Sequence, residues 1–392
     1  MNKKRLLVTG STLPRWENDT EPRFILDYAK AMMKYYDVTV LAPSAPNAKE
    51  AEVLEGVNIV RYRYFPVKKW ETLCYPGAIV PRIREKKLRI LLVPFLFISL
   101  YFKLLQIHKQ FDIIHAHWLI PQGIVQSFIK TPYMVTGHGG DVTSLNKGIM
   151  KKLKGRCIRN AFAVTAVSKP FEDVIQENWP NAKTSVISMG CDTTGFSPNY
   201  RKEQFFSQGG KKVVLFVGRL AEKKGVTYLI EAMKNVDARL VIVGKGPLEQ
   251  ELIKQAEELG DKITFLGAKT HEELKLIYAS ADLFVAPSVT SKDGDQEGFG
   301  LVIIEAMASG LPVCASRSGG IVDIVKQGEN GLLSEERDVE QLADNINSIL
   351  LNSDLYGKMQ EKAIMTAKQF DYRVIAQKYR DLIEKYMNEI DN

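Results

Sequence analysis

The chain has 392 residues, of which 45% are hydrophobic and 25% are charged, and its formal net charge at pH 7 is +7. This composition is typical of a globular protein large enough for two domains, and it excludes a disordered or collagen-like chain. The cysteines show no paired spacing, which argues against a disulfide framework or a cysteine zinc site and favours a reducing compartment. They are Cys74, Cys157, Cys191 and Cys314.

The charge is unevenly distributed along the chain. Residues 1–195 carry 28 Lys and Arg against 16 Asp and Glu, a net charge of +12, whereas residues 196–392 carry 25 against 30, a net charge of −5. The basic start is followed by only three apolar residues, Leu6 to Val8, which is too short for a signal peptide. The longest apolar run, 90–102, is shorter than the roughly 20 residues that span a bilayer. We therefore expect a cytoplasmic protein.

The first half of the chain alternates short apolar strands with helices. Strands are predicted over 4–9, 37–42, 57–62, 112–115, 132–135 and 162–167. Helices are predicted over 24–35 and from Pro121 onward. This alternation is typical of a parallel sheet that is covered by helices on both faces.

The second half repeats the pattern after a polar, basic stretch that predicts a linker over 199–212. Strands are predicted over 213–217, 238–243, 263–266, 283–287 and 313–315, and helices over 226–233, 248–258, 271–279 and 301–309. The predicted domains are 1–198 and 213–370, with a C-terminal helix over about 371–392 that packs back onto the first domain. The fold class is therefore α/β, with two doubly wound, Rossmann-like domains whose ligands bind at the carboxyl ends of the strands, in an interdomain cleft.

One loop of the second half has the residues of a phosphate site. The segment GRLAEKKG, residues 218–225, lies between a predicted strand and a predicted helix, begins with Gly218, and carries Arg219 and Lys224. Phosphates bind at such loops, where a guanidinium can contact two oxygens and a lysine supplies a point charge. The alternative is that both side chains are solvated. A second glycine-rich turn, with Gly244, is by itself a weak signal.

Two carboxylates eight positions apart, Glu297 and Glu305, flank a turn and the start of a predicted helix in the segment EGFGLVIIE. Gly310 is placed to end that helix. Free amides at the helix N-terminus suit an anion such as a diphosphate, and Gly298 and Gly300 allow a ligand to approach the backbone closely. The alternative interpretation is a solvated acidic loop that leads into a core helix.

These segments occur in a characteristic order along the chain. The second half reads GRLAEKKG, VGKGP, FLG, APS, EGFGLVIIEAMASGLPV, SGG and NGLL, and the first half contains HAHW (115–118), TGHGGD (136–141), TAVS (165–168) and SMGCDTTGFSP (188–198). Over nearly the whole chain this order resembles retaining glycosyltransferase family 4, the group 1 glycosyltransferases, which have the GT-B fold. The spacing of the two carboxylates matches the Glu-x7-Glu motif of that family.

The resemblance implies a role for each residue of the donor site. Glu305 binds the ribose hydroxyls of the nucleotide, and Glu297 contacts the donor sugar near its anomeric carbon. Arg219 and Lys224 act in catalysis by neutralising the diphosphate leaving group. The base lies against the backbone of Leu266 and Gly267. Backbone amides hold the sugar and the distal phosphate around Phe299, Gly300 and Leu301.

The resemblance also implies roles in the first half. His138 matches the family's histidine beside the donor sugar, on the acceptor side, where we also place His115, His117 and Asp141. His115 and His117 alternate at a strand end, and packing there is the alternative to lining the acceptor side. The first-strand loop departs from the family, because relatives have a Gly-Gly pair where this chain has Gly10 followed by Ser11. We expect Gly10 alone to contact the donor.

The expected reaction is retaining transfer of a sugar from a nucleotide sugar, UDP- or GDP-linked, to a glycan or lipid-linked acceptor in cell-surface polysaccharide or glycolipid biosynthesis. No cofactor or metal is expected, because fixed cations and helix amides can stabilise the leaving group. The segment Asp293-Gly294-Asp295 resembles a metal motif, but we interpret it as a solvated loop. The alternative functions are a GT-B-like nucleotide-sugar epimerase or phosphorylase, and a non-catalytic sugar-nucleotide-binding module at the membrane periphery.

Residues 61–110 are unusually basic and apolar for a soluble sheet protein. The wider stretch 58–110 holds eleven Lys and Arg against two Asp and Glu, interleaved with aromatic residues and followed by ILLVPFLFISLYFKLL. One interpretation is a core helix with a solvated basic flank. The other is a patch that binds an anionic membrane surface, at the inner face of the cell membrane. A nucleic-acid partner is not expected, because no recognisable DNA- or RNA-binding module accompanies the charge.

Overall fold

The computed structural model describes residues 3–77, 79–203, 205–206, 210–292 and 294–391. The chain divides into two compact units. The first unit comprises the residues up to Ile187 together with those from Tyr372 onward, and the second comprises Ser188–Asp371.

The first unit is built on an eight-stranded sheet. Its strands are β1 (Arg5–Thr9), β2 (Asp37–Pro43), β3 (Ala51–Leu54), β4 (Val57–Tyr62), β5 (Ile113–His117), β6 (Tyr133–Gly137), β7 (Ala163–Ala166) and β8 (Thr184–Val186). They lie in the order β3-β4-β2-β1-β5-β6-β7-β8. Neighbours are parallel except β3, which is antiparallel to β4. The central strands are fully buried, as expected for a parallel sheet with helices on both faces.

The helices of the first unit connect these strands. In chain order they are α1 (Phe24–Met32), α2 (Ile79–Glu85), α3 (Val93–Ile107), α4 (Ile124–Gln126), α5 (Gly140–Thr143), α6 (Gly148–Asn160) and α7 (Lys169–Asn178). The helix predicted from Pro121 is present but short, because a π-helical turn over Leu119–Gly123 leads into α4, which ends at Gln126. The helix predicted over 24–35 is α1 and ends earlier, at Met32.

The second unit is built on a six-stranded parallel sheet. Its strands are β9 (Val213–Val217), β10 (Arg239–Val243), β11 (Ile263–Gly267), β12 (Leu283–Ala286), β13 (Val313–Ser316) and β14 (Gly331–Ser334), in the order β11-β10-β9-β12-β13-β14. Its helices are α8 (Val226–Ala232), α9 (Glu249–Ala256), α10 (His271–Ser280), α11 (Leu301–Ala308), α12 (Ile321–Ile324), α13 (Val339–Leu351) and α14 (Ser353–Lys368). Both units therefore have the predicted doubly wound, Rossmann-like architecture.

The last helix, α15 (Tyr372–Asp391), belongs to the first unit although it follows the second in sequence. It packs on α1, and three of its side chains, Ile375, Tyr379 and Ile383, are almost fully buried in the core of the first unit. The C-terminal helix predicted over about 371–392 therefore groups with the first unit, beginning at Tyr372.

The segment before β9 is not the separate linker that the sequence predicted. The second unit begins at Ser188, and Phe196 is fully buried there against the rings of His271 and Tyr278. Arg201 donates to the carbonyl of Ala281 at 2.7 Å. The second unit thus begins ten residues before the predicted boundary at 198, because the buried ring of Phe196 packs on side chains of that unit.

One helical segment among the described residues, Lys87–Gln110, is long and apolar enough to cross a membrane by length and composition. It has 24 residues, and only 17% of an 18-residue apolar stretch within it is buried. The expectation that this region is too short to span was wrong on length, because two short 3₁₀ turns extend α3 at both ends.

Candidate functional site

The predicted donor-binding residues of the second unit follow four neighbouring strands. Gly218 follows β9, Gly244 follows β10, Gly267 ends β11, and Glu297 lies in the loop after β12. These four strands are adjacent and parallel, so their carboxyl ends meet at one edge of the sheet. The structure therefore brings these separate sequence segments together at the edge where α/β sheets bind ligands.

Three of these turns, those at the ends of β9, β10 and β11, are joined by backbone hydrogen bonds. The amide of Gly218 donates to the carbonyl of Val243 at 2.9 Å, and the amide of Gly244 donates to that of Gly267 at 2.8 Å. Leu266 and Gly267 are half-buried at this edge. Arg219 lies beside Gly218 and is exposed. The guanidinium of Arg219 therefore lies at the surface, next to turns that are held together by backbone hydrogen bonds.

The loop after β12 enters α11 through Gly300. Gly300 is the N-cap residue and has a left-handed backbone (φ 90°), which glycine adopts without steric cost. Phe299 turns inward, is buried, and packs against the ring of Phe370, with 5.4 Å between ring centroids. The buried phenyl ring anchors the turn. The backbone amides in the first turn of α11, beginning at Leu301, are therefore held next to the loop that carries Glu297.

Lys224 and Glu297 form an ion pair although 73 positions separate them in the sequence. Both side chains are mostly buried, with 16% and 14% of their surface exposed. Burial by itself would raise the pKa of Glu297, but the charges of Lys224 and Lys223, and hydrogen bonds from Lys224 and the Gly298 amide, hold that pKa below its usual value. Glu297 is therefore an ionised carboxylate at neutral pH.

This ion pair lines a small cavity. Its other lining residues include Phe216, Ser288, Gly300 and Ile303. The backbone of Glu297 is fixed from behind, because the amide of Gly320 donates to its carbonyl at 3.0 Å. A Cβ atom at Gly319 (φ 49°) would lie 2.1 Å from the same carbonyl oxygen, so only glycine fits there. The SGG motif of the sequence thus positions Glu297.

Glu305 lies one turn inside α11 and is 8% exposed. Its carboxylate accepts a hydrogen bond from the hydroxyl of Tyr278, with 2.9 Å between the oxygens. Tyr278 is fully buried in α10. Sequence reasoning missed Tyr278, because a tyrosine at helical spacing is typical of an ordinary core residue.

The region that resembled a metal motif gives no metal site among the described residues. Asp295 pairs with Lys223 at 3.1 Å. Asp293 lies outside the described residues. Within the described ranges, no group of three or more His, Cys, Asp or Glu side chains is arranged to hold a metal ion. Metal independence remains a prediction.

The first unit contains a cluster of three histidines at the carboxyl ends of β5 and β6. His115 is fully buried, and its ring nitrogens lie 2.7 Å from the hydroxyl oxygens of Tyr28 and Thr136. His117 Nδ1 lies 2.9 Å from His138 Nε2. Both ring nitrogens of His115 are thus engaged inside the core, which favours packing over a direct contact with an acceptor.

The pKa of each clustered histidine lies below its usual value. Burial lowers the pKa of His138 to about 3. Burial, and then the charges that neighbouring histidines would carry, hold the pKa of His115 and His117 well below the usual range. All three rings are therefore neutral at physiological pH. His138 packs against Phe24 and Trp118, with ring centroids 5.4 and 4.9 Å away.

Asp141 organises the loop that carries His138. One carboxylate oxygen accepts from the amides of His138 and Gly139 at 3.1 and 2.8 Å, and the other accepts from the amide of Leu119 at 2.8 Å. Burial raises the pKa of Asp141, and these hydrogen bonds only partly offset that effect. Asp141 therefore has a positioning role for His138, which the motif alone did not reveal.

Gly10 does not present a free amide. Its N–H donates to the carbonyl of Leu41 at 3.1 Å, as a continuation of the β1–β2 ladder. The next residue, Ser11, is held by Gln122, whose side-chain amide donates to the serine hydroxyl at 2.7 Å. The structure thus argues against the predicted amide contact from Gly10, because the sheet already uses that donor.

Comparison with known proteins identifies the class of this chain. The profile for glycosyl transferases group 1 matches residues 199–368, and that for Glycosyltransferase Family 4 matches residues 22–194. The uncharacterized glycosyltransferase MJ1178 of Methanocaldococcus jannaschii is 31% identical over 288 residues, which cover 70% of this chain and 75% of the relative. The chain therefore belongs to the group 1 glycosyltransferases.

A functionally described relative matches a smaller part. The GDP-mannose-dependent alpha-(1-6)-phosphatidylinositol monomannoside mannosyltransferase of Mycobacterium tuberculosis is 35% identical over 189 residues, covering 45% of this chain and 49% of the relative. That enzyme's name states a dependence on GDP-mannose and a phosphatidylinositol monomannoside.

Solved structures confirm the GT-B fold. Sucrose-phosphate synthase from Thermosynechococcus elongatus superposes with a TM-score of 0.79 at 22% identity, covering 99% of this chain and all of that one. HepE from Anabaena, solved in complex with UDP and glucose, has a TM-score of 0.74 at 22% identity, covering 97% of this chain and all of that one.

Proposed function

We propose that this glycosyltransferase transfers a sugar, with retention of anomeric configuration, from a nucleotide-diphosphate sugar to a lipid-linked or glycan acceptor. The observation that carries this proposal is the pairing of Lys224 with Glu297 beside the N-terminus of α11. It places a cation, an ionised carboxylate and helix amides in one loop cluster. These are the groups that a departing diphosphate and a developing sugar cation require.

In this proposal Lys224 exchanges its partner when the donor binds. The carboxylate of Glu297 neutralises the lysine in the empty site, and the diphosphate takes over that role in the complex. Glu297 is then released from the lysine and can face the sugar, where its negative charge stabilises the positive charge that develops at the anomeric carbon. Arg219, exposed in the same loop, adds a second cation for the diphosphate.

The same proposal assigns Glu305 to the ribose hydroxyls and the backbone of Leu266 and Gly267 to the base. Glu305 is buried and held by Tyr278, as suits a fixed hydrogen-bond acceptor. His138, neutral and held by Asp141, serves the acceptor side of the reaction through a hydrogen bond and not through a positive charge.

The donor is proposed to be UDP- or GDP-linked. HepE was solved with UDP and the mycobacterial relative uses GDP-mannose, which supports both options. The phosphatidylinositol monomannoside acceptor named for that relative supports a lipid-linked acceptor. Such an acceptor is consistent with a role in the biosynthesis of cell-surface polysaccharide or glycolipid. In this proposal the enzyme acts in the cytoplasm, at the inner face of the cell membrane.

The testing experiment is a panel of UDP- and GDP-sugars, read by thermal shift and by release of the nucleoside diphosphate. One or two donors should raise the melting temperature and be slowly hydrolysed by the wild-type protein. Lys224→Ala should lose both effects, whereas Lys326→Ala, an exposed lysine in the same unit, should keep them. A Lys224→Ala variant with undiminished binding and hydrolysis would reject this site.

Metal independence is part of the proposal. Lys224 and Lys223 supply fixed positive charge at the carboxylate loop, which is the role that a divalent cation has in metal-dependent transferases. Donor hydrolysis should survive treatment with EDTA within about a factor of two. Loss of hydrolysis in EDTA, restored by Mg²⁺ or Mn²⁺, would assign a metal role to the loop that contains Asp295.

A further inference from the structure

Helix α3 has two apolar stripes on opposite faces. One stripe is buried and consists of Leu96, Leu100, Leu104 and Ile107. The other is exposed and consists of Phe95, Ile98, Phe102 and Leu105, and Leu91 in the preceding 3₁₀ turn extends it, with exposed fractions between 42% and 64%. Successive members of each stripe are three or four positions apart, so each stripe follows one side of the helix. We call the exposed stripe the outer face of α3.

The buried stripe ties α3 to the first unit. Its side chains pack toward α4 and β4. A helix that crossed a bilayer would have to withdraw these side chains from the core. Although Lys87–Gln110 is long enough to span, the packing therefore favours a helix that stays on its domain and presents its outer face.

The outer face continues into an aromatic cluster from a second segment. Trp70, which is 54% exposed, stacks on Phe65 with 5.7 Å between ring centroids, and Phe65 contacts Phe95 edge to face at 4.9 Å. Exposed tryptophans at the edge of an apolar surface are typical of the interfacial region of membranes. The contact through Phe65 joins the residue 65–70 segment to α3 as one surface.

Cations border this surface, and the acidic residue next to Trp70 in the sequence, Glu71, is buried and paired with Arg63. Lys68 and Lys69 lie beside Trp70, and Lys86 and Lys87 lie where the helical segment begins, all four of them exposed. No Asp or Glu occurs between Glu85 and Asp112 in the sequence. Glu85 itself is paired with Arg82 and Arg89. The border of the outer face therefore carries uncompensated positive charge.

We infer that the outer face of α3, together with Trp70 and the bordering lysines, binds the surface of an anionic phospholipid bilayer, with α3 parallel to the membrane plane. The apolar side chains enter the headgroup and upper acyl region, and the lysines contact the lipid phosphates. A second copy of this chain is a poorer occupant, because it would place two rows of lysines against each other. The inference deepens the proposed function, on which it rests for the lipid-linked acceptor.

The first experiment measures binding of the whole 392-residue chain to phosphatidylcholine vesicles with and without 30% phosphatidylglycerol. We expect binding only to the anionic vesicles, with about a fivefold weakening for each lysine removed. Phe95→Glu/Phe102→Glu should bind at least tenfold more weakly. The matched control is Ile149→Glu/Leu351→Glu, which alters side chains that are 68% and 84% exposed on other helices and should bind as the wild type does.

Three outcomes would overturn the inference. They are equal binding by wild type and Phe95→Glu/Phe102→Glu, binding that is independent of phosphatidylglycerol, and a wild-type dimer in solution that the double variant abolishes while vesicle binding is absent. Thermal melts of the variants check that the fold is kept, because Phe95→Glu gives up one ring contact with Phe65 whereas the other substituted side chains are mostly exposed. Donor hydrolysis in the absence of vesicles should also be unchanged, so that failure of the membrane inference differs from failure of the proposed function.

A second experiment tests the orientation of α3. Lipids brominated near the headgroup should quench tryptophan fluorescence more strongly than lipids brominated near the bilayer centre, and Trp70→Phe should remove the quenched component. Carbonate at high pH should release bound protein from the vesicles. Resistance to carbonate, or strongest quenching from the bilayer centre, would instead indicate a spanning helix and overturn the in-plane arrangement.

Discussion

The hydroxyl of Tyr278 in α10 donates to the carboxylate of Glu305 in α11, with 2.9 Å between the oxygens. Both residues are buried in the second unit. Burial, and then the neighbouring negative charge of Glu305, raise the pKa of Tyr278 far above its usual value, so that the phenol stays protonated and remains a donor. The carboxylate that we propose for ribose binding is thus oriented by a residue outside the recognised motif.

This contact predicts a binding defect for Tyr278→Phe. Loss of one hydrogen bond of about 1 kcal/mol should raise the KM for the donor roughly fivefold, with little change in kcat. Glu305→Ala should raise it by about 10- to 100-fold, because a charged acceptor is lost. Steady-state kinetics on the preferred donor measure both effects. A fall in kcat at constant KM in Tyr278→Phe would instead show that this contact matters only in the transition state.

Glu297 predicts an acid-dependent loss of stability. Its pKa is depressed in the folded state by Lys224 and Lys223 against the opposing effect of burial, so the stabilisation is fully present above the usual carboxyl pKa of 4.5 and is lost as the pH falls through the folded value. At pH 7, Glu297→Gln should cost about 1.5–3 kcal/mol. The difference from wild type should shrink in urea titrations below pH 4.

The control for this prediction is Glu329→Gln, which changes an exposed carboxyl group in the same unit. It should alter the free energy of unfolding by less than about 0.5 kcal/mol at either pH. If Glu297→Gln lowered the free energy of unfolding by the same amount at every pH, the carboxylate would contribute through packing and not through its ion pair.

The histidine cluster predicts a second acid effect, in the first unit. His115, His117 and His138 are neutral in the folded state because burial lowers their pKa, whereas in the unfolded chain they bind protons near pH 6.5. Stability is therefore highest above pH 6.5 and falls as the pH decreases below it, by about 2 kcal/mol per histidine at pH 5.

Urea unfolding at pH 7.5 and pH 5 measures this effect. His117→Gln should unfold with a smaller loss between the two pH values than wild type, because one titrating group is absent. The neutral His138 also predicts that its own protonation produces no acidic limb near pH 6.5 in the profile of kcat. Such a limb, removed by His138→Gln, would show that His138 is cationic in the working enzyme.

The burial of Phe196 predicts that the segment before β9 contributes to the stability of the second unit. It is fully buried against His271 and Tyr278, so Phe196→Ala should destabilise the second unit by about 3–5 kcal/mol. Phe205→Ala removes a phenyl group that is 40% exposed and should cost less than about 1 kcal/mol. Differential scanning calorimetry compares the two. Equal small effects would mean that Phe196 does not anchor the start of the second unit.

Much of the site could be predicted from the sequence because its segments are local. The turns at Gly218 and Gly244 follow apolar strands, and the strand ends of a parallel sheet meet at one edge whatever the side-chain details. The spacing of Glu297 and Glu305 likewise needs only one loop and one helical turn. The partners of these residues could not be predicted, because Tyr278 and Gly319 act through contacts that depend on how α10 and β13 pack.

By itself the sequence determined the class of this protein. It predicted two Rossmann-like units, the succession of strands along the chain, and the motif residues of a group 1 glycosyltransferase. Only the tertiary structure decided that Lys224 neutralises Glu297, that Gly10 uses its amide in the sheet, and that α3 buries one apolar stripe and exposes the other. Hydrophobic periodicity records which residues share a helix face. Whether that face is covered depends on neighbours distant in the chain, and only the folded arrangement of those neighbours supplies the answer.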